Sequence, residues 1–199
     1  MKNLALISIL LATIPTLTTP FKMGNCDTSC PTNGTLPDSA LSPSLIIPIS
    51  AQQPTRAFGN TTLAKVTPSD FCTIFNLEIP PSAINKTCLL AFLFPTHEQT
   101  TAFYSFAGPG DFVFNGYAYG AGANPGTTYE TQPASGPSPP AAKLVPGNAY
   151  VLNVGSCGVQ PGQTEAVTVS GALCSNDTYF EFEQTREKGC PIGFYVAIS

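Results

Sequence analysis

The sequence predicts an all-β fold, an antiparallel β-sandwich for which the jelly roll is one available form, with a flexible N-terminal arm. Three observations carry this expectation. Short segments of alternating or continuous apolarity recur between turn residues. Gly 17 and Pro 20 together make nearly a fifth of the 199 residues. They disfavour long helices, because Pro lacks an amide donor and Gly costs backbone entropy. Thirteen Phe and seven Tyr supply bulk that suits a pleated, half-buried surface.

The elements follow in order. Residues 45–49 form a short apolar run interrupted by Pro48, which marks an edge strand. Residues 71–79 alternate, with Thr73, Phe75, Leu77 and Ile79 on one face and Asn76 and Glu78 on the other, the pattern of a half-buried strand. Pro80 and Pro81 end it. Residues 88–94 (CLLAFLF) are apolar on both faces and predict a central strand. Two brief strands are expected at 103–106 and 112–114, separated by Gly108-Pro109-Gly110. Residues 120–147 form a long Gly-, Pro- and Ala-rich excursion, expected to be pinned by a strand near 128–131. Further strands are read at 150–154, around Val167 and Val169, at 179–183 with Phe180 and Phe182 inward, and at 194–198. Consecutive strands joined by short turns should be antiparallel neighbours.

The N-terminus reads as an address. Lys2 precedes an eleven-residue apolar run over 4–14 and a small polar stretch, the layout of a signal peptide over 1–19. The run is shorter than the ~20 residues of a membrane span. Residues 20–43 read as a Pro-, Ser- and Thr-rich linker, and 44–199 as the β-sandwich domain. The last residues lack the spacer and tail of a lipid-anchor signal. A secreted product, extracellular or in the cell wall, is expected, with no transmembrane or GPI anchor.

Two features agree with export. Sequons at Asn33, Asn60, Asn85 and Asn176 fall in predicted turns or linker, where a glycan can reach solvent. Seven cysteines, Cys26, Cys30, Cys72, Cys88, Cys157, Cys174 and Cys190, should mostly pair in an oxidising compartment. The odd count leaves one thiol free or paired between chains. Cys26 and Cys30 are near enough to bridge locally, and the pairing of the other five stays open. No metal site is expected, since His97 is the sole histidine and no CxxC occurs. No cofactor is expected either. Eight Lys and Arg in a chain of net charge −4 cannot track a phosphate backbone, which argues against nucleic acid.

Several segments carry a family likeness: Gln53-Pro54-Thr55-Arg56-Ala57-Phe58-Gly59, Lys86-Thr87-Cys88 with Phe92-Leu93-Phe94-Pro95, Thr127-Thr128-Tyr129 with Gln132-Pro133, Pro146-Gly147-Asn148-Ala149-Tyr150, and Cys190-Pro191-Ile192-Gly193-Phe194-Tyr195. From about Leu45 to the end the chain resembles the fungal But-two C-terminal-domain family, named for a protein that binds an activating enzyme for a ubiquitin-like modifier. The resemblance implies a secreted fungal β-sandwich domain and supplies no catalytic motif. The Cys26 and Cys30 arm and the Ala-Gly content of 120–126 depart from the family pattern.

Catalytic readings have little to stand on. A Ser-His-Asp triad would have to use His97, which follows Pro95-Thr96 at a strand end and reads as a loop residue. Glu181 and Glu183 could be a glycosidase pair, yet alternate outward acids are the ordinary solvated face of a strand. Asp70 and Asp111 sit where Asp bends turns. Phe112 and Phe114 alternate inward, whereas Tyr117 and Tyr119, flanked by Gly116 and Gly120, are the expected exposed rings for stacking on a sugar. The expectation is therefore a non-catalytic secreted glycoprotein of the fungal surface or wall, structural or interacting with wall polysaccharide or a surface protein. A carbohydrate-binding or host-interaction module is the alternative, and a glycoside hydrolase a distant third.

Overall fold

The computed structural model describes residues 29–31 and 36–199. Among them it holds eleven strands and a single 3₁₀ turn at Pro81–Ala83. The strands are β1 (Leu45–Ser50), β2 (Leu63–Val66), β3 (Phe71–Ile79), β4 (Thr87–Phe94), β5 (Tyr104–Ala107), β6 (Asp111–Gly116), β7 (Ala142–Lys143), β8 (Asn148–Ser156), β9 (Val167–Cys174), β10 (Tyr179–Glu183) and β11 (Gly193–Ile198). They form three sheets, ordered β1-β3-β9-β6-β7, β2-β10-β5 and β11-β4-β8. Every ladder is antiparallel, as expected, and the fold is all-β and sandwich-like.

The neighbours differ from the expected hairpins. Only β6 and β7 pair with a sequence neighbour, and the long excursion separates them. Every other connection carries the chain from one sheet to another. Short turns here therefore join strands of different sheets, the way a sandwich buries both inner faces around one core.

That core is aromatic. Phe180 and Phe182 of β10, Phe92 and Phe94 of β4, Phe112 and Phe114 of β6, Phe75 of β3 and Phe194 of β11 bring all three sheets together. Their rings meet mostly edge to face: Phe92 stands 4.8 Å from Phe194 and 5.5 Å from Phe182. Each such pair adds about 0.5–1.5 kcal/mol beyond its area burial. The alternation over β10 is as expected, with Phe180 and Phe182 fully buried and Glu181 and Glu183 partly exposed.

β3 is not half-buried. Ile74 and Asn76 are buried on the outer face as well as Thr73, Phe75 and Leu77 on the inner one, because the long excursion folds over the outer face of this sheet. Ile47, Ile49, Ile74, Tyr117, Ala123 and Ala172 make a second core there. Asn76 is its polar anchor. Its Nδ2 donates to the Ala123 carbonyl at 2.8 Å, while its Oδ1 accepts from the Ala123 amide at 3.0 Å and the Ser170 hydroxyl at 2.9 Å. A buried side-chain amide with its hydrogen bonds met is stable, whereas an unmet one would be costly. Residues 128–131 are a turn and not a strand, closed by Thr128 and Thr131 through their hydroxyls and amides. Threonine hydroxyls bonding local amides compete with a strand ladder.

β4 is central in its sheet, as its two-sided apolarity predicts. The segment ahead of β1 lies along this sheet's far side. Leu41 bridges Val196, and Arg186 holds the Asp38 and Ala40 carbonyls while its guanidinium covers the Tyr195 ring at 5.4 Å. Three disulfides join Cys30 to Cys190, Cys72 to Cys174 and Cys88 to Cys157. The local bridge considered for Cys26 and Cys30 does not form, since Cys30 is committed 160 residues away. Cys26, Asn33 and the leader read over 1–19 lie outside the described residues. No helix among the described residues is long and apolar enough to cross a membrane.

Candidate functional surfaces

Three sequon asparagines are described, and Asn60, Asn85 and Asn176 are all exposed. Asn60 caps the outer edge of β1, its Oδ1 accepting the Ile46 amide at 2.9 Å. Its Nδ2, the atom a glycan would use, takes no part in that bond. Asn85 turns the chain into β4 with φ 58°, a left-handed conformation that Asn tolerates better than most residues. Asn176 stands in the bend between β9 and β10. Its sequon partner Thr178 is buried, with its hydroxyl accepting the Gly110 amide at 2.8 Å and donating to Asp177 at 2.7 Å.

The structure separates the two tyrosines read as a stacking pair. Tyr119 is exposed (52%) and rests against Gly158, where an added Cβ would stand 2.9 Å from its ring. Tyr117 is buried (8%), contrary to the exposure expected of it. Its amide bonds the Ser170 carbonyl, which extends the β6 ladder, and its hydroxyl donates to Gln132 at 2.8 Å. The flanking glycines suggested exposure, but the returning excursion supplies a covering layer that no local pattern reveals. Burial, with nearby Tyr129 adding to it, pushes the Tyr117 phenol well above its usual range. Phe112 and Phe114 are core residues. Phe103 and Tyr129 are two further exposed rings; both were expected within strands, whereas the structure leaves each outside any strand.

Four of the ionisable groups weighed for catalysis are engaged with neighbours. The His97 ring stacks on Tyr104 at 3.8 Å with the planes 2° apart. Glu181 accepts the Tyr179 hydroxyl at 2.6 Å, which raises the phenol's pKa. Glu183 pairs with Lys188 at 2.7 Å, and that hydrogen bond lowers its carboxyl below the usual range. Asp70 accepts the Ser50 hydroxyl and the Gln52 amide, a turn-shaping role. Among the described residues no cluster of His, Cys, Asp or Glu could hold a metal ion.

Three hollows lie among the described residues. The first, about 130 Å³, opens between the inner faces of the five-stranded sheet and the β11-β4-β8 sheet. Phe75, Leu77, Leu90, Phe114, Val169 and Phe194 wall it. The second, about 300 Å³, lies on the outer face over the Cys72–Cys174 bridge, with Asp70, Asn115, Tyr129 and Asn176 around it. The third, about 370 Å³, is bounded by Leu36 and Pro37 of the N-terminal segment and by Leu89, Ala149 and Val151.

Compared with known families, residues 41–188 match the model described as the ubiquitin 3 binding protein But2 C-terminal domain. No match is found among curated proteins.

Proposed function

Since the chain belongs to the But2 C-terminal-domain family, we propose that it is a secreted, glycosylated, non-catalytic interaction domain of the fungal cell surface or wall. The observation that carries this reading is the set of three disulfides, which tie residues 160, 102 and 69 positions apart. Bridges of this kind persist in oxidising compartments and are reduced in the cytosol. The exposed Asn60, Asn85 and Asn176 support the same compartment. The word "binding" in the family's description supports an interaction role without specifying its partner. For an exported chain the candidates are wall polysaccharide or another surface protein.

The test is intact-mass analysis of medium and cell fractions from a fungal host, with deglycosylation and thiol labelling. Export predicts a form in the medium that lacks ~20 N-terminal residues, carries removable glycans and keeps six cysteines unreactive. A full-length, unglycosylated cytosolic form with reactive thiols would refute it.

Exposed Tyr119 supports a second reading, a sugar-stacking contact. It now rests on this single ring and not on a pair with Tyr117. Tyr119→Ala should then weaken retention on wall polysaccharide, and unchanged retention would remove the reading.

A further inference from the structure

We propose that the hollow between the sheets is a binding site for a small apolar ligand: a single aromatic ring, or the end of an acyl or isoprenoid chain, with its polar end left at the mouth. The inference concerns ligand chemistry and stands whether or not the chain is exported. One glycine opens the space and its cross-strand partner closes it. Gly171 of β9 lies opposite Phe75 of β3 and pairs with Gly116 of β6 on the inner face. In front of Gly171 no side chain from the facing sheet approaches, and only the backbone of β6 stands near.

The remaining wall is mostly apolar. Phe75, Leu77 and Val169 come from the five-stranded sheet, with Leu90 and Phe194 facing them from the other sheet. No Asp, Glu, His, Lys or Arg lines the hollow. A charged ligand would lose its hydration there without compensation. The volume of about 130 Å³ is close to that of an apolar cavity known to take benzene, so it matches a ring or a short chain end.

The mouth is constructed. Pro137 and Pro139 of the long excursion form a strap across it. The Gly116 amide donates to the Ser138 hydroxyl at 2.9 Å, and the Gly136 amide to the Gly116 carbonyl at 2.8 Å. A Cβ on Gly116 would fall 1.9 Å from the Pro137 carbonyl oxygen, so glycine is what admits the strap. Asn153 of β8 lines the same opening from the other sheet. Its side-chain amide is the polar partner for a hydroxyl or carbonyl left outside.

The probe is toluene, titrated into the ¹³C-labelled, disulfide-intact protein and followed by methyl resonances. The expected result is saturable shifts at Leu77, Leu90, Val169 and Leu173, with unchanged signals at exposed Val151 and Val154. Val169→Phe, which adds a ring at the lip, should weaken toluene binding at least ~10-fold, a change of about 1.4 kcal/mol. Val154→Phe, which adds the same ring on an exposed position away from the hollow, should leave it unchanged. Shifts that fail to saturate, or that spread over Val151 and Val154, would overturn the site. So would a folded Val169→Phe protein that binds toluene like wild type. If that variant does not fold, the wild-type shift map alone decides. None of these outcomes depends on where the protein is found in the cell, so failure here is distinguishable from failure of the export test.

Discussion

The side chain of Gln184 brackets the backbone of Phe194: its Oε1 accepts the Phe194 amide at 2.8 Å and its Nε2 donates to the Phe194 carbonyl at 3.0 Å. One side chain thus imitates a strand residue and ties the end of β10 to β11, which belong to different sheets. Gly193 makes the approach possible. Its φ is 108°, and a Cβ there would stand 2.0 Å from Gln184 Oε1.

Gln184→Ala should leave both Phe194 backbone groups unpaired and cost about 1–3 kcal/mol in denaturant unfolding. Gly193→Ala should cost at least as much, through backbone conformation and collision together. Full stability in both variants would show that the junction contributes nothing.

Asn76 holds the excursion to the outer face. Asn76→Ala strands the Ala123 amide and carbonyl, for an expected loss of about 2 kcal/mol. Limited proteolysis should then cut within 120–141 well before the wild type is cut. Resistance equal to wild type would mean that the Tyr117 and Ala123 packing alone secures the segment.

Removing the Cys72–Cys174 bridge by a double Ser substitution releases a constraint across 102 residues. Loop-closure entropy puts the loss at about 4.7 kcal/mol. Chemical denaturation measures it, and a loss under ~1 kcal/mol would show that the long-range sheet pairing already restricts the unfolded chain.

Alkaline stability follows from two tyrosines. Burial raises the pKa of both Tyr195 and Tyr117, with Arg186 and Gln184 partly offsetting it at Tyr195. In the unfolded chain these phenols ionise near pH 10, so the folded state holds more protons above that point. Their contribution is complete below pH 10 and is lost as pH rises from there toward the folded values. Unfolding free energy should therefore decline above pH 10, and the Tyr195→Phe, Tyr117→Phe protein should decline less steeply. Parallel curves would contradict this.

Glycan attachment at Asn176 should precede folding, because Thr178, whose hydroxyl completes the sequon, is buried and engaged. Folded, unglycosylated protein exposed to a glycosylating extract should stay unmodified at Asn176, whereas a peptide spanning 173–181 should be modified. Thr178→Ala should also lose about 1–3 kcal/mol, unlike Asn176→Gln. Efficient modification of the folded protein would count against this order.

The sequence by itself determined where most strands lie and what kind of core they build. Period-two alternation located β10 and the ends of β3, continuous apolarity marked β4 as central, and Pro48 marked β1 as an edge. These signals are local, because a strand's own side chains record which of its faces are buried. β2 (LAKV) and β7 (AK) are too short to show a period and were not legible. Tertiary structure decided everything that depends on who faces whom. β3 pairs with β9 some ninety residues away, Cys30 reaches Cys190, and Tyr117 disappears under a returning loop while Tyr119 stays outside. The hollow is also a tertiary feature, since Gly171 leaves a place that no side chain of the facing sheet fills, and the strap seats only because Gly116 carries no side chain. Alternation fixes a face, but what covers that face is settled by the free energy of the whole packed chain.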